Sequence, residues 1–319
     1  MPKPDNCLGD NMKHYLGVFI GLMVFASAVS ASQFPEVKVQ KINDRVYALL
    51  GPTDPPNKQN LGYMNNNLVI IGNQGVILVD AGSHRAVAEH IHKAIKTVTS
   101  KPVTHVLITH HHPDHHLGLE YFEGAQVIAS EVCAQQIQDN GRGMVGSMSR
   151  NTGLSLGNAK PVVPQTRLAP RARQAMEIDG IKLEVIQTET AHTDGDMMVW
   201  LPEDGVLASG DILVHTINPN FRDGNLKSWI GVVDNILKLP VQTVMPGHGP
   251  LMQRQEVAEF RALIADFYKT VEEVYKAGGV EADVRKKLDL ARWQRLGRYE
   301  DMMGGNINKV WLEVEEANF

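Results

Sequence analysis

Short apolar runs alternate with segments of helical periodicity along most of the chain. Several of the runs are rich in the aliphatic and β-branched residues typical of strands. We predict strands over residues 37–50, 67–71, 75–80, 103–109, 126–129, 181–187, 197–201, 206–208 and 241–245. Predicted helices over residues 85–98, 130–137 and 226–238 lie between them. This interleaving indicates an α/β fold.

Two segments depart from that alternation. After residue 250 the pattern is helical, with apolar positions at helical spacing over 256–276 and shorter amphipathic segments over 281–296 and 308–316. These apolar stripes either pack on the preceding domain or form a homo-oligomer interface. Residues 139–166 are rich in Gly, Ser, Asn and Met and have no sustained period. We predict a long loop there, either a lid or binding loop over a site or a disordered connector.

The N-terminus has the layout of a secretory signal peptide. Lys3 and Lys13 precede an apolar run over residues 16–29, and small residues suit cleavage after Ala28 or Ala31. The run is shorter than the roughly 20 residues that a membrane-spanning helix needs. We therefore predict a signal peptide over 1–31 and a periplasmic or secreted mature protein without stable membrane insertion. An uncleaved membrane anchor is the alternative.

Composition excludes some partners and crosslinks. The 319 residues include 31 Lys and Arg against 36 Asp and Glu, a formal net charge of -5. This balance gives no basic field for a polyanion, so we expect a small-molecule substrate and no nucleic acid. Removal of Cys7 with the signal peptide leaves Cys133 as the single cysteine, so no intramolecular disulfide is expected.

One short stretch carries most of the candidate chemistry. Its sequence, His110-x-His112-x-Asp114-His115, directly follows the predicted strand over 103–109. Neutral imidazoles and carboxylates are the ligands that zinc and similar divalent metals prefer. The crowding of these groups in one loop predicts a metal site.

Three further ligand-type residues stand where predicted strands end. His192 follows the strand over 181–187, Asp211 follows the strand over 206–208, and His248 lies between two glycines after the strand over 241–245. A single histidine or a Gly-Asp turn is common and proves little alone. Their shared placement in loops suggests that they join the histidine cluster.

In this order, the motifs resemble those of the metallo-β-lactamase-fold hydrolases, and residues 79–82 resemble the turn before their first helix. The resemblance implies an αββα sandwich over residues 32–250, with a C-terminal helical extension over 251–319 packed on it. It also implies two zinc ions, with iron or manganese as alternatives, and assigns Asp211 as the bridging carboxylate. His111 and His116 lie outside the ligand pattern. The implied ligands are His110, His112 and His192 for one ion and Asp114, His115 and His248 for the other.

Two divalent ions held close together share a water, lower its pKa and present hydroxide at neutral pH. No side-chain nucleophile is then needed. We expect the catalytic residue Asp114 to orient the bridging hydroxide and to pass a proton to the leaving group.

The substrate class depends on Asp211. In the resembled family, enzymes that cleave β-lactams generally carry Cys or Ser there, whereas Asp is similar to the glyoxalase II and lactonase type. Residues 193–202 and 306–308 resemble a set of exported hydrolases. We therefore expect cleavage of an ester, thioester, lactone or related acyl bond. Metallo-β-lactamase activity, a mononuclear iron oxidoreductase of the sulfur dioxygenase type and a non-catalytic metal-binding protein are the alternatives.

Candidate substrate contacts come from loops expected to flank the metals. An aromatic side chain would pack on an apolar group, a histidine would hydrogen-bond an oxyanion, and a guanidinium would bind a carboxylate. The four candidates are Tyr63, His215, Arg222 and Trp229.

Overall fold

Two β-sheets lie face to face at the centre of the protein. The computed structural model describes residues 34–170 and 173–318. Within these residues the first sheet has seven strands in sequence order. They are β1 (Lys38–Lys41), β2 (Val46–Leu50), β3 (Asn67–Ile71), β4 (Val76–Val79), β5 (Val103–Leu107), β6 (Gln126–Ser130) and β7 (Thr166–Leu168).

The second sheet has five strands in this part of the chain, in the order β12-β11-β10-β9-β8. They are β8 (Arg173–Ile178), β9 (Ile181–Gln187), β10 (Met197–Leu201), β11 (Val206–Val214) and β12 (Thr243–His248). Neighbouring strands pair in parallel from β4 to β7 and between β11 and β12, and are otherwise antiparallel.

Helices cover the outer faces of both sheets. Those on the first sheet's side are α1 (Arg85–Ile95), α2 (Pro113–His116) and α3 (Glu131–Thr152), with a short 3₁₀ helix at Leu117–Tyr121. Those on the second sheet's side are α4 (Leu226–Ile236), α5 (Arg254–Lys276), α6 (Glu281–Lys287), α7 (Leu290–Gln294) and α8 (Tyr299–Glu316).

Alternating side chains divide the core into layers. In β3, Leu68 and Ile70 pack between the sheets, whereas Val69 packs against the α1 side. In β10, Val199 points between the sheets and Trp200 packs among the helices that follow β11. This period of two lets each sheet bury both faces. The result is the αββα sandwich with extra C-terminal helices, which confirms the predicted fold class.

Asp179, in the turn between β8 and β9, joins the two sheets. Its carboxylate accepts backbone N–H bonds from Gln74 at 2.9 Å and Gly75 at 2.7 Å, in the turn between β3 and β4. These donors hold the pKa of Asp179 below its ordinary value. The contact fixes one end of the sandwich, away from the candidate ligands.

The prediction of a long loop over 139–166 was wrong for its first half, because α3 extends to Thr152. Glycine and polar residues hide the helix in the sequence, yet its buried residues recur at helical spacing: Ile137, Gly141, Val145, Met148 and Thr152. A Cβ at Gly141 would lie 2.6 Å from that of Pro161, so glycine allows the chain after α3 to pack closely. The predicted helix over 281–296 is likewise two helices, with Leu288 in an extended conformation between them.

The helices after residue 250 share one apolar core with the second sheet. Phe260 of α5, Trp293 of α7 and Val310 of α8 are buried with Leu207 of β11. Glu313 of α8 accepts N–H bonds from the first turn of α4, at 2.8 and 2.9 Å. The predicted signal peptide over 1–31 lies outside the described residues. Within those residues, none of the helices is long and apolar enough to cross a membrane.

Candidate metal centre

The histidine loop begins where β5 ends. Its direction changes at Pro113, the first residue of α2, and His112 stands immediately before that helix with extended backbone angles. Proline at this position suits a helix start because its missing N–H needs no partner there. The turn places His110 and His112 on one side and Asp114 and His115 on the other.

The seven predicted ligands come together in two groups. In each group the candidate ligand atoms lie within 4.8 Å of one another. The first group is His110, His112, His192 and Asp211, and the second is Asp114, His115 and His248.

Asp211 lies between the two groups. Its Oδ2 is 3.5 Å from Nε2 of His192, in the first group, and 3.2 Å from Nε2 of His248, in the second. Its Oδ1 is 3.3 Å from Nε2 of His115. Glycine at 247 is required, because a Cβ there would collide with the Asp211 carboxylate. The sequence of β11 and β12 thus places one carboxylate within reach of both groups.

Several ligand atoms have unmet hydrogen-bonding capacity. Within the described residues, four buried ligand atoms have no hydrogen-bond partner: Nε2 of His110, Oδ2 of Asp114, Nε2 of His115 and Oδ1 of Asp211. Leaving such atoms buried and unpaired costs about 1–3 kcal/mol each. Imidazoles and carboxylates with converging free atoms fit divalent metal ions, which would satisfy them together.

Each candidate histidine ligand is oriented through its other ring nitrogen. Nδ1 of His248 lies 2.8 Å from the Met64 carbonyl oxygen, and Nδ1 of His192 lies 3.2 Å from that of Asn220. In His112 the roles of the nitrogens are reversed. Its Nε2 lies 2.9 Å from Oδ2 of Asp223, which leaves Nδ1 facing the other ligands. Such partners fix the ring and the tautomer that binds a metal.

Asp80 organises the ligand loop from the end of β4. Its carboxylate accepts hydrogen bonds from the backbone N–H and the hydroxyl of Thr109, both at 2.9 Å. It also lies 2.8 Å from Nδ1 of His115. The Thr109 hydroxyl in turn lies 3.0 Å from Nδ1 of His110. Sequence reasoning assigned Asp80 no role, although its position directly after a buried strand was a signal.

Asp196 supports the loop that carries His192. It accepts the backbone N–H of His192 at 2.7 Å and both the N–H and the hydroxyl of Thr193, at 2.9 and 2.6 Å. Burial raises the pKa of Asp196 to about 7, although these donors oppose the shift. Sequence reasoning placed Asp196 in the segment that resembles exported hydrolases but assigned it no role.

Electrostatics favour the metal-binding protonation state in two of the histidines and in both carboxylates. Burial opposes protonation of His115 and His248 as well, but neighbouring carboxylates raise the pKa of both rings, so metal binding would displace protons from them. Burial holds the pKa of His110 well below its ordinary value and lowers that of His192 to about 3, so both rings are neutral. Burial opposes ionisation of Asp114 and Asp211, but neighbouring imidazoles hold the pKa of each carboxyl well below its ordinary range. Neutral imidazoles and ionised carboxylates are the forms that bind divalent metals.

A cavity of about 280 Å³ opens beside these ligands. Arg222 lines it, as expected, but its side chain is 71% exposed and paired with Asp223 at 3.1 Å. Two residues that sequence reasoning missed, Arg298 and Met302, also line the cavity and come from the C-terminal helices. Both the sandwich and the C-terminal extension therefore line the cavity.

Three expected substrate contacts lie elsewhere. Tyr63 is fully buried in the core beside α1, and its ring centroid lies 5.6 Å from that of His90 in an edge-to-face arrangement. Trp229 is fully buried behind His192, and its Nε1–H donates to the carbonyl of Ile212 at 2.8 Å. His215 faces a separate cavity beside α5, with Nδ1 at 3.2 Å from the Pro250 carbonyl oxygen. None of the three lines the metal cavity. Full burial removes Tyr63 and Trp229 from contact with a substrate there, whereas the role of His215 stays a prediction.

His111 and His116 belong to neither ligand group, in keeping with the sequence pattern. His116 is fully buried, and its Nε2 lies 3.4 Å from the sulfur of Met144 in α3. Burial lowers its pKa to about 3, so the ring is neutral. It packs between the ligand loop and α3.

Comparison with known proteins identifies a family whose sequences are similar to this chain. Residues 61–248 match the family model of the metallo-beta-lactamase superfamily. The chain is 25% identical over 208 residues to a metallo-beta-lactamase type 2 of Bacillus cereus, an alignment that covers 61% of this chain and 73% of the relative. It is 23% identical over 230 residues to a linear primary-alkylsulfatase of a Pseudomonas species, covering 60% of this chain and 43% of that longer protein.

The fold is similar to that of a solved metallo-beta-lactamase from Pontibacter korlensis. The TM-score is 0.59 at 23% sequence identity, and the alignment covers 72% of this chain and 100% of the other. The family match extends over more than half of the sequence and includes all seven candidate ligands. The chain belongs to the metallo-beta-lactamase superfamily.

Proposed function

We propose that this protein is an exported hydrolase that uses two divalent metal ions, zinc in the first instance, to cleave an ester, thioester, lactone or related acyl bond. The observation that carries the proposal is the position of Asp211 between two complete ligand groups. A binding protein for one ion would have no use for the second group, in which Oδ2 of Asp114 and Nε2 of His115 are buried without a hydrogen-bond partner among the described residues. Bound metal ions would supply a water acidic enough to ionise at neutral pH and would polarise the substrate carbonyl.

Asp114 is the candidate general acid–base. It lies at the cavity wall, and its Oδ2 is 3.3 Å from Nε2 of both His115 and His248. The carboxylate therefore lies at the edge of the second ligand group, close to both imidazoles. A carboxylate held there is positioned to orient water and then to carry a proton to the leaving group.

The acyl-bond assignment rests on Asp211, which resembles the residue of the glyoxalase II and lactonase type. Cleavage of a β-lactam is a second candidate, supported by the similarity to a metallo-beta-lactamase type 2. Sulfate ester cleavage is a third, supported by the similarity to a linear primary-alkylsulfatase. In each case the ligands would support the same activation of water, so a comparison of substrates has to separate the three classes.

A substrate panel tests the proposal. The mature protein, loaded with zinc, would be assayed on a small ester, a thioester, a lactone, a β-lactam and an alkyl sulfate, with and without a chelator. We expect chelator-sensitive cleavage of at least one acyl substrate. Cleavage restricted to the β-lactam or to the alkyl sulfate would make that compound's class the substrate class, in place of the ester, thioester or lactone. One iron per chain in the protein as purified, before zinc is added, together with no hydrolysis of any substrate, would replace the hydrolase with an oxidoreductase.

Export is part of the same proposal. It rests on the signal-peptide pattern over residues 1–31. Expression of the full chain with detection in the periplasmic or culture fraction tests it, and retention of the unprocessed chain in the cytoplasm would contradict it.

A further inference from the structure

One guanidinium reaches the metal cavity from the C-terminal helices. Arg298 lies between α7 and α8 and lines the same cavity as Asp114 and His248. It is outside residues 61–248, the part of the chain that matches the superfamily. The residue is therefore a feature of this chain's extension and not of the shared ligand framework.

The Arg298 side chain is fixed in place. Its Nε donates to the carbonyl of Thr53 at 2.6 Å, and a terminal nitrogen donates to the carbonyl of Asp54 at 3.1 Å. Both acceptors are neutral, so these contacts orient the guanidinium without neutralising its charge. Holding an arginine in one rotamer removes most of the entropy cost of binding an anion to it.

Hydrogen bonds of the neighbouring residue also hold the backbone at Arg298 in place. Its φ is 62°, in the left-handed region that non-glycine residues rarely adopt. The preceding Gly297 donates to the carbonyl of Thr216 at 2.9 Å and accepts from the N–H of Asn218 at 2.8 Å. Backbone strain of this kind persists only where surrounding contacts impose it, and it concentrates at binding sites.

Arg222 is a poorer anion site than Arg298. Arg222 is 71% exposed and already paired with Asp223. Arg298 is half-buried, and in the described part of the chain its hydrogen bonds go to backbone carbonyls. Burial lowers the pKa of Arg298, and four carboxylates oppose this shift: Asp114 and Asp211, which metal ions would neutralise, and Asp54 and Asp301, which are not candidate ligands.

We propose that Arg298 binds a carboxylate of the substrate that is separate from the bond being cleaved. This inference rests on the proposed hydrolase function and narrows its substrates to anionic acyl compounds, such as the monoester of a dicarboxylic acid. A planar guanidinium suits a carboxylate because it donates two parallel N–H bonds. Its fixed charge beside a cationic metal centre favours an anionic substrate over a neutral one.

A binding experiment tests Arg298 without requiring turnover. Calorimetry would compare glutarate with butyrate on the zinc-loaded protein, since both offer one carboxylate to the metals and glutarate alone offers a second. We expect glutarate to bind about 10–100-fold more tightly, as charge-assisted hydrogen bonds imply. In Arg298→Met this advantage should fall below about 3-fold, and the exposed control Arg295→Met should keep it. An advantage that persists in Arg298→Met, or that is absent from the wild-type protein, would overturn the proposal.

Kinetics separate recognition from a structural role. On 4-nitrophenyl hydrogen glutarate, Arg298→Met should lose about 10–100-fold in kcat/KM, mainly through KM. On neutral 4-nitrophenyl butyrate it should change less than about 3-fold. Equal losses on both esters would make Arg298 a structural residue and overturn the proposal. If the wild-type protein cleaves neither ester, the hydrolase proposal fails for these substrates, while calorimetry still decides the role of Arg298.

Arg298→Lys provides a second variant if Arg298→Met does not fold. Lysine keeps the charge but loses the planar pair of donors. The glutarate advantage should then fall at least about fivefold, which is roughly one charge-assisted hydrogen bond. An unchanged advantage in Arg298→Lys would refute bidentate carboxylate binding.

Discussion

Asp80 and His115 are paired in the interior of the protein, with Oδ2 of the aspartate 2.8 Å from Nδ1 of the imidazole and both side chains almost fully buried. The contact fixes the ring so that Nε2 faces the other ligands. Asp80 has a φ of 63°, a conformation that Asp and Asn tolerate better than most residues. The turn after β4 thus sets the direction of one metal ligand.

Asp80→Asn should weaken metal binding by about 10–100-fold, because the partner that orients His115 loses its charge. Asparagine keeps the size of the side chain and tolerates the left-handed backbone. Competition with a chromophoric zinc chelator measures the affinity. Asp44→Asn, on the surface, is the control. Equal zinc affinity in Asp80→Asn and the wild-type protein would contradict this role.

Asp114→Asn should leave a folded protein but lower kcat by about 10²–10⁴-fold, the range for loss of a general acid–base. The amide still offers one oxygen to a metal but cannot carry a proton. Steady-state kinetics with metal analysis on the same sample provide the measurement. Near-normal turnover at full metal content would refute the assignment.

Trp229→Phe should reduce the free energy of unfolding by about 1 kcal/mol, since the hydrogen bond from the buried indole N–H to the Ile212 carbonyl is lost. KM should hardly change, because Trp229 lies behind His192 and not in the cavity. Urea unfolding and kinetics check the two parts. A large rise in KM with unchanged stability would restore Trp229 as a substrate contact.

Asp179→Asn should lower stability at pH 7, and the deficit should shrink in acid. The folded pKa of Asp179 lies below its ordinary value of 3.8 because the N–H groups of Gln74 and Gly75 stabilise the carboxylate. Its contribution is therefore present above the unfolded pKa and is lost as pH falls through the folded pKa. Urea midpoints of variant and wild type at matched pH values test this, with exposed Glu177→Gln as the control. A deficit that does not change with pH would contradict the electrostatic origin.

The ligand set was accessible from sequence because its members either cluster in one loop or directly follow strands. His110 to His115 occupy consecutive positions, and His248 ends β12. The strands that lead to these groups belong to two different sheets, so it was the family resemblance, and not the order of strands, that implied their proximity.

The rest depends on contacts that leave no periodic signal. Arg298 meets the Thr53 carbonyl across 245 positions, and Asp80 meets Thr109 across 29. Glycines concealed the second half of α3, because glycine has a low helix propensity and the apolar stripe of this segment is sparse. The reason for glycine at position 141 is visible only in the structure, where Pro161 packs against it. Tyr63 and Trp229 are aromatic residues that anchor loops and helices in the core.

The central claim is that Asp211 joins two metal sites into one centre. The most direct measurement is the zinc stoichiometry of the purified protein and of Asp211→Ala, by plasma mass spectrometry after equilibration with micromolar free zinc. We expect about two zinc ions per wild-type chain, and fewer than two, with hydrolysis abolished, in Asp211→Ala. Wild-type protein that is folded and holds one ion or none under these conditions would contradict it.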